Sequence, residues 1–191
     1  MNVSMRVLAV ILVAQGLVAG AVQAQARALD TGKSRVAFVY TVERKIAVEG
    51  RFPKFGAHVV FDERAPDKGS VRLDIDVGAI DTGSAEGDTE AKRPAWFDAP
   101  KFATASFVST AVRRAGERRY EALGRLTIKG ATREASIPFT VAPLPGGGLR
   151  AQGSLTIKRL AFGVGTGLWA DTSQIADEVE VKFDLLLGPS K

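Results

Sequence analysis

The chain has 191 residues, a formal net charge of +5 and no cysteine. That length suits one domain and can bury a core without disulfide staples; the missing thiol excludes cysteine nucleophiles, cysteine-attached haem and cysteine-held metals. The single histidine, His58, excludes a histidine-rich metal cluster and an HExxH pair.

The first 24 residues differ from the rest. Arg6 is their only charged side chain, an apolar run covers Val7 to Val13, and small residues lead to Ala24-Gln25-Ala26. A basic start, a short apolar centre and a small-x-small exit describe a secretory signal cleaved after Ala24 or Ala26. The run is broken at Gln15 and is shorter than the roughly 20 apolar residues of a membrane span. The expected organisation is therefore a signal peptide over 1–24, a single β-domain over 25–191, and a periplasmic location.

Beyond it the recurrent signal is alternation. Strands are expected over Arg35–Val42, Ile46–Phe52 and His58–Asp62, with His58 in the polar phase and facing solvent. Val71, Leu73, Ile75 and Val77 alternate with Arg72, Asp74 and Asp76, placing the apolar set on one face of a strand. Asp81-Thr82-Gly83 matches the aspartic-protease string, which one copy per chain could serve in a homodimer, and Leu185-Leu186-Leu187-Gly188 mimics the apolar-Gly segment of such enzymes, but the rest of the chain does not match and strand-end turn chemistry accounts for the string. From Ala85 to Pro100 alternation stops and Trp96-Phe97 is the only bulky apolar pair, which predicts a helical turn and loop covering an opening or packing on the sheet.

Further strands are expected over Ala103–Val112, Tyr120–Ile128, Ala135–Val141 and Leu149–Leu160. Between the first two, the basic run Arg113 to Arg119 around Gly116 reads as a solvated hairpin tip or as a contact for anionic lipid headgroups. Pro138 lacks a donor N–H and predicts a local edge or bulge. Gly124-Arg125-Leu126-Thr127-Ile128-Lys129 is echoed by Gly153-Ser154-Leu155-Thr156-Ile157-Lys158, as if two strands flanking Ala135–Val141 met one packing problem alike. Phe162 to Gly167 is glycine-rich without the spacing of a phosphate cradle. The last strand carries Val179, Val181, Phe183, Leu185 and Leu187 on one face. About eight strands with short turns predict an all-β antiparallel sandwich or closed barrel. No catalytic constellation and no metal site assemble, so neither an enzyme nor a cofactor is expected, and basic residues without aromatic interleaving argue against nucleic acid.

Several pieces together resemble the YceI-like family of bacterial periplasmic proteins: Val48-Glu49-Gly50-Arg51-Phe52, Ala79-Ile80-Asp81-Thr82-Gly83 with Asp88, Trp96-Phe97-Asp98, Leu126-Thr127-Ile128-Lys129-Gly130, and Arg159-Leu160-Ala161-Phe162-Gly163 with Trp169-Ala170-Asp171. The resemblance implies an eight-stranded antiparallel lipocalin-like barrel whose lumen binds or transports a long polyisoprenoid, a quinone tail or isoprenoid phosphate. Dimers occur in that family. Some members carry a histidine soon after the position of Asp88, where this chain has Glu90.

In such a barrel, Leu73, Ile75, Val77, Ile137, Phe139 and Phe183 are expected to line the lumen. Trp96, Phe97 and Trp169 are expected at its mouth, and Arg93 or Arg159 at a phosphate headgroup as paired donors. Because an eight-stranded barrel is either filled by side chains or holds one small ligand, the alternative is a solid barrel acting without ligand as an adaptor or stress-related partner of a membrane respiratory complex.

Overall fold

The computed structural model describes residues 26–190; the expected signal peptide lies outside them. Ten strands form one antiparallel sheet: β1 (Ala26–Leu29), β2 (Arg35–Val42), β3 (Ile46–Arg51), β4 (Phe55–Val60), β5 (Ser70–Asp76), β6 (Thr104–Gly116), β7 (Arg119–Ile128), β8 (Ala131–Pro143), β9 (Leu149–Lys158) and β10 (Ile175–Ser190). One short helix, α1 (Ala85–Ala91), follows β5.

The sheet closes as a barrel of eight strands because β10 pairs along its length with two successive partners. Its last residues meet β1 (Leu187 opposite Leu29) and its first part meets β2 (Val181 opposite Phe38). β1 and β2 are thus one strand position interrupted at Asp30–Ser34, and β3 and β4 form the next, since β4 pairs with β1 and β3 with β2. β1 carries no alternation long enough to read, so the sequence leaves it unassigned.

Turn chemistry agrees with the pairing. Lys129 and Gly130 both have positive φ, 49° and 76°, between Ile128 and Ala131, the two-residue turn whose twist matches flanking strands. The basic hairpin turns at Glu117-Arg118, one residue beyond Gly116. Arg113 pairs with Glu121 at 2.6 Å and the Arg114 guanidinium lies 5.1 Å from the Tyr120 ring centre, so this tip is partly tied to its own strands.

Pro138 does mark a break: β8 pairs with β7 along its length, but with β9 only from Phe139 onward. The echoed strands β7 and β9 do flank β8. Their glycines share a packing role. A Cβ on Gly124 would stand 2.9 Å from the Phe107 ring, and one on Gly153 would stand 2.6 Å from the Phe183 ring, each also colliding with a neighbouring carbonyl. Both glycines leave room for a phenylalanine ring across the sheet, where any side chain would displace it.

Apolar side chains close one end of the barrel. Phe61, Tyr120 and Phe139 stack there, with Phe61 edge-on to Tyr120 at 4.9 Å and Tyr120 parallel to Phe139 at 5.5 Å, and Val141, Leu149, Leu185 and Leu187 complete the plug. At the other end the long connections 77–103 and 159–174 leave the barrel, and there the packing opens.

Candidate functional site

An apolar cavity of about 840 Å³ occupies the barrel above the plug. Its wall comes from the inward phase of successive strands: Val36, Phe38 and Tyr40 of β2, Leu73 and Ile75 of β5, Phe107 of β6, Leu126 of β7, Ile137 of β8, Leu155 of β9, and Val179, Val181 and Phe183 of β10. Strand alternation puts all of these on one side. Several, including Leu73, Ile75, Ile137, Val181 and Phe183, pack against the core yet remain only half-buried, because their free side faces the cavity. Leu73, Phe107, Ile137 and Phe183 also border a second void of about 80 Å³ toward the plug. Protein interiors normally hold few voids larger than a water molecule, so side chains lining so large a space forgo dispersion partners that a bound chain would restore. The filled-barrel expectation does not describe this fold.

The mouth is built by the β5–β6 connection. Asp81-Thr82-Gly83 is a turn, as its residue types predict: the Gly83 N–H donates to Asp81 Oδ1 at 3.0 Å, and Arg51 Nε donates to Asp81 Oδ2 at 2.7 Å. Ser84 caps α1, its Oγ accepting from the Gly87 N–H at 3.0 Å. Asp88 reaches back to accept from the Thr82 N–H at 2.6 Å and from the Thr82 hydroxyl at 2.7 Å, which holds its carboxyl below the usual range. A depressed folded-state pKa contributes stability that is present above the unfolded value, about 3.9, and lost as pH falls through the folded one. Acidification through and below the ordinary carboxylate range is therefore expected to loosen α1 before the barrel melts, read as a change in tryptophan fluorescence in wild type that Asp88→Asn shows already near neutral pH.

Glu86 and Glu90, one helical turn apart, both line the cavity. Glu90 accepts from Trp169 Nε1 at 3.0 Å and pairs with Arg93 at 3.1 Å. Trp169 lies 5.6 Å from Trp96, ring centre to ring centre, and Phe97 meets Phe52 edge-on at 6.1 Å. The three aromatic residues expected at the mouth thus stand together on the cavity wall.

Arg159 takes a different role from the one expected. It is 2% exposed. Its Nε donates to the Ala176 carbonyl at 3.0 Å, Nη1 to Val164 and Gly165 at 3.1 and 2.8 Å, and Nη2 to Trp169 and Ile175, each at 2.8 Å. All the N–H donors of a guanidinium are spent on backbone, and its face lies 5.6 Å from the Trp96 ring centre. Although it borders the cavity, it has no donor left for a phosphate. It ties together the connection that carries Trp169. Arg93 is exposed, lines the cavity and is paired with Glu90.

Of the expected lumen residues, Leu73, Ile75, Ile137 and Phe183 line the main cavity and Phe139 lines the small void by the plug. Val77 does neither. It begins the turn Val77–Ala79 and is buried with Ala105, Ile128, Phe162 and Val164 beneath the mouth connections; the strand ends before its alternation does. His58 is exposed, as its phase predicts. Sequence reasoning missed Glu86 and Glu90, whose i, i+4 spacing on a predicted helical turn was the available signal, and the inward set of β2. Among the described residues no cluster of metal-ligating side chains exists.

The family model described as the YceI-like domain matches residues 28–187. A UPF0312 protein of Pseudomonas aeruginosa is 33% identical over 120 residues, which covers 60% of this chain and 62% of the relative. Another, from Serratia proteamaculans, is 32% identical over 124 residues, 62% and 64% of the two chains. The matched segment thus spans less than two thirds of these relatives' length. The crystal structure of Burkholderia cenocepacia BcnA is 42% identical, covers 83% of this chain and 98% of its own, and superposes with a TM-score of 0.80. A polyisoprenoid-binding domain from Saccharophagus degradans implicated in plant cell wall breakdown gives a TM-score of 0.70 at 16% identity over 86% of this chain and 98% of that one, a likeness of fold.

Proposed function

The chain belongs to the YceI-like family, and from that membership we propose that it is a binding protein for a long isoprenoid lipid with an uncharged head, of the quinone type, carried in the periplasm after removal of a signal peptide. The observation that carries this reading is the cavity: about 840 Å³, walled by aliphatic and aromatic side chains, with its polar groups gathered at the mouth. That volume lies toward the upper end of ordinary ligand sites, about 300–1,000 Å³. An apolar chain placed there leaves water at a gain of about 0.8 kcal/mol per buried CH₂. The polyisoprenoid-binding domain of Saccharophagus degradans supports the ligand class through its shared fold.

The mouth supports the uncharged head. Glu86, Glu90 and Arg93 all line the cavity, Arg93 is paired with Glu90 and Arg159 is spent on backbone, so no unpaired cation stands among the lining residues to meet a phosphate. Asp81, held in its turn by Arg51 and the Gly83 N–H, has a structural task that accounts for the Asp-Thr-Gly string without peptide hydrolysis.

Native mass spectrometry of protein purified from its own host tests both parts. The expected result is a polypeptide beginning at Gln25 or Arg27 with a non-covalent isoprenoid adduct. Neutralising the mouth, Glu86→Gln with Glu90→Gln, is expected to leave quinone binding within about twofold. It should tighten polyprenyl phosphate binding about tenfold or more, since each like charge at about 4 Å opposes the phosphate by about 1 kcal/mol even in water. Protein that captures neither lipid from micelles ends the carrier reading; wild type that prefers the phosphate ends the uncharged-head reading.

A further inference from the structure

Two large apolar side chains stand in solvent among the described residues: Leu168, 92% exposed, and Ile46, 55% exposed. Both belong to the open end of the barrel. Ile46 pairs with Val42 across the tip of the β2–β3 hairpin. That tip is tied to the entry of β10 by the Val42–Ile175 pair and by the Glu43 N–H, which donates to the Gln174 carbonyl at 2.7 Å. Leu168 precedes Trp169 in the turn Gly167–Ala170, and Trp169 is the wall residue bonded to Glu90 on α1.

Single exposed apolar residues are ordinary on soluble proteins. These two are set apart by their position. Ile46 shares the inward phase of β3 with Val48 and Gly50, opposite the inward residues Val42, Tyr40 and Phe38 of β2. The apolar face that lines the cavity therefore runs past the rim and ends in water. Arg44 and Lys45 fill the exposed tip between Val42 and Ile46, and neither makes an ion pair within 4.0 Å among the described residues. Glu43 shares the tip, Asp171 lies within reach of the Arg44 charge, and Glu86 and Glu90 lie at the mouth, so the basic element is a local pair of cations and not a basic face. Separate apolar anchors beside cations suit the interfacial zone of a bilayer. A protein interface instead calls for a continuous contact of about 1,000 Å² or more. The opposite end has the arginine-rich β6–β7 hairpin but no large exposed apolar side chain among the described residues.

We propose that the open end docks on an anionic lipid bilayer, Leu168 and Ile46 entering the headgroup–acyl boundary and Arg44 and Lys45 meeting lipid phosphates, so that the cavity opens onto the membrane that supplies or accepts its ligand. The proposal rests on the isoprenoid reading for its purpose, but the docking surface stands on its own residues.

Sedimentation with vesicles of phosphatidylcholine, with and without phosphatidylglycerol, tests it. Wild type is expected to bind the anionic vesicles. Leu168→Asp combined with Ile46→Asp should lower the bound fraction about tenfold or more, the effect of losing one buried large apolar side chain or more. Arg44→Glu with Lys45→Glu should remove the preference for anionic vesicles. None of the four lines the cavity, so each variant should take up ubiquinone from detergent micelles as wild type does. Absence of vesicle binding by wild type overturns the proposal. So does undiminished binding by the aspartate pair, or sedimentation velocity showing a dimer that Leu168→Asp with Ile46→Asp dissociates. Vesicle binding that survives a failure of micelle uptake supports the docking surface while removing the isoprenoid reading.

Discussion

Ile75→Trp is expected to abolish most isoprenoid binding while the protein stays folded. Ile75 sits on the cavity wall with one side free, so a larger side chain enters open space and does not overpack a filled core, where extra methylenes cost about 1–3 kcal/mol. Ile75 stands two residues before the strand leaves for the mouth connections at Val77, so an indole there enters the upper part of the cavity and keeps the tail out of the space below it. Displacing only three buried carbons removes about 2.4 kcal/mol, roughly a 50-fold loss in affinity. The loss should grow with tail length, because a longer tail has more carbons to lose from the space below that level. Titration of ubiquinones of increasing tail length into wild type and Ile75→Trp measures this directly. Equal affinity for the longest tail in both proteins would show that the tail lies elsewhere.

Arg159→Met is expected to have the largest effect on stability. The methionine matches the arginine stem in bulk, but five backbone carbonyls lose their donors at once: Val164, Gly165, Trp169, Ile175 and Ala176. Burial lowers the pKa of this guanidinium, and the nearby Asp177 charge works against that shift; the group stays charged at any ordinary pH. Losing one partner of a buried charged network costs about 3–5 kcal/mol, or roughly 6–20 °C in Tm for a domain of this size. Arg159→Lys should rescue little, since an ammonium has three donors and no fork. Thermal unfolding followed by circular dichroism separates this role from headgroup binding. A variant that keeps its Tm but loses affinity for a phosphorylated lipid would restore Arg159 to the ligand.

The two predictions concern residues that local reading treated very differently. Ile75 was assigned correctly from alternation alone, because a strand leaves its side chains no other choice of face. The same local reading identified Leu73, Ile137 and Phe183, the strands that carry them, the turn at Asp81-Thr82-Gly83 and the solvent-facing His58. All of these depend on neighbours within a few residues.

Other properties depend on which distant segments meet. Alternation says that a side chain faces inward, not whether it touches anything there; the cavity exists because eight strands close at a radius their inner side chains do not fill at one end. Val77 shows the limit of parity, since the backbone turns at that residue and carries it under the mouth connections. Arg159 shows the limit of reading charge as exposure. Whether an arginine meets solvent, ligand or backbone is settled only when 164–176 folds over it and offers five carbonyls. The splitting of two strand positions along β10, and the convergence of Glu86, Glu90 and Trp169 on one mouth, likewise come from long-range pairing. Sterics and periodicity within each segment set the faces of the strands and the chemistry of the turns, and both are legible without any long-range contact. The cavity, the polar groups gathered at its mouth and the buried arginine were decided by closure, which sets residues far apart in the chain against one another.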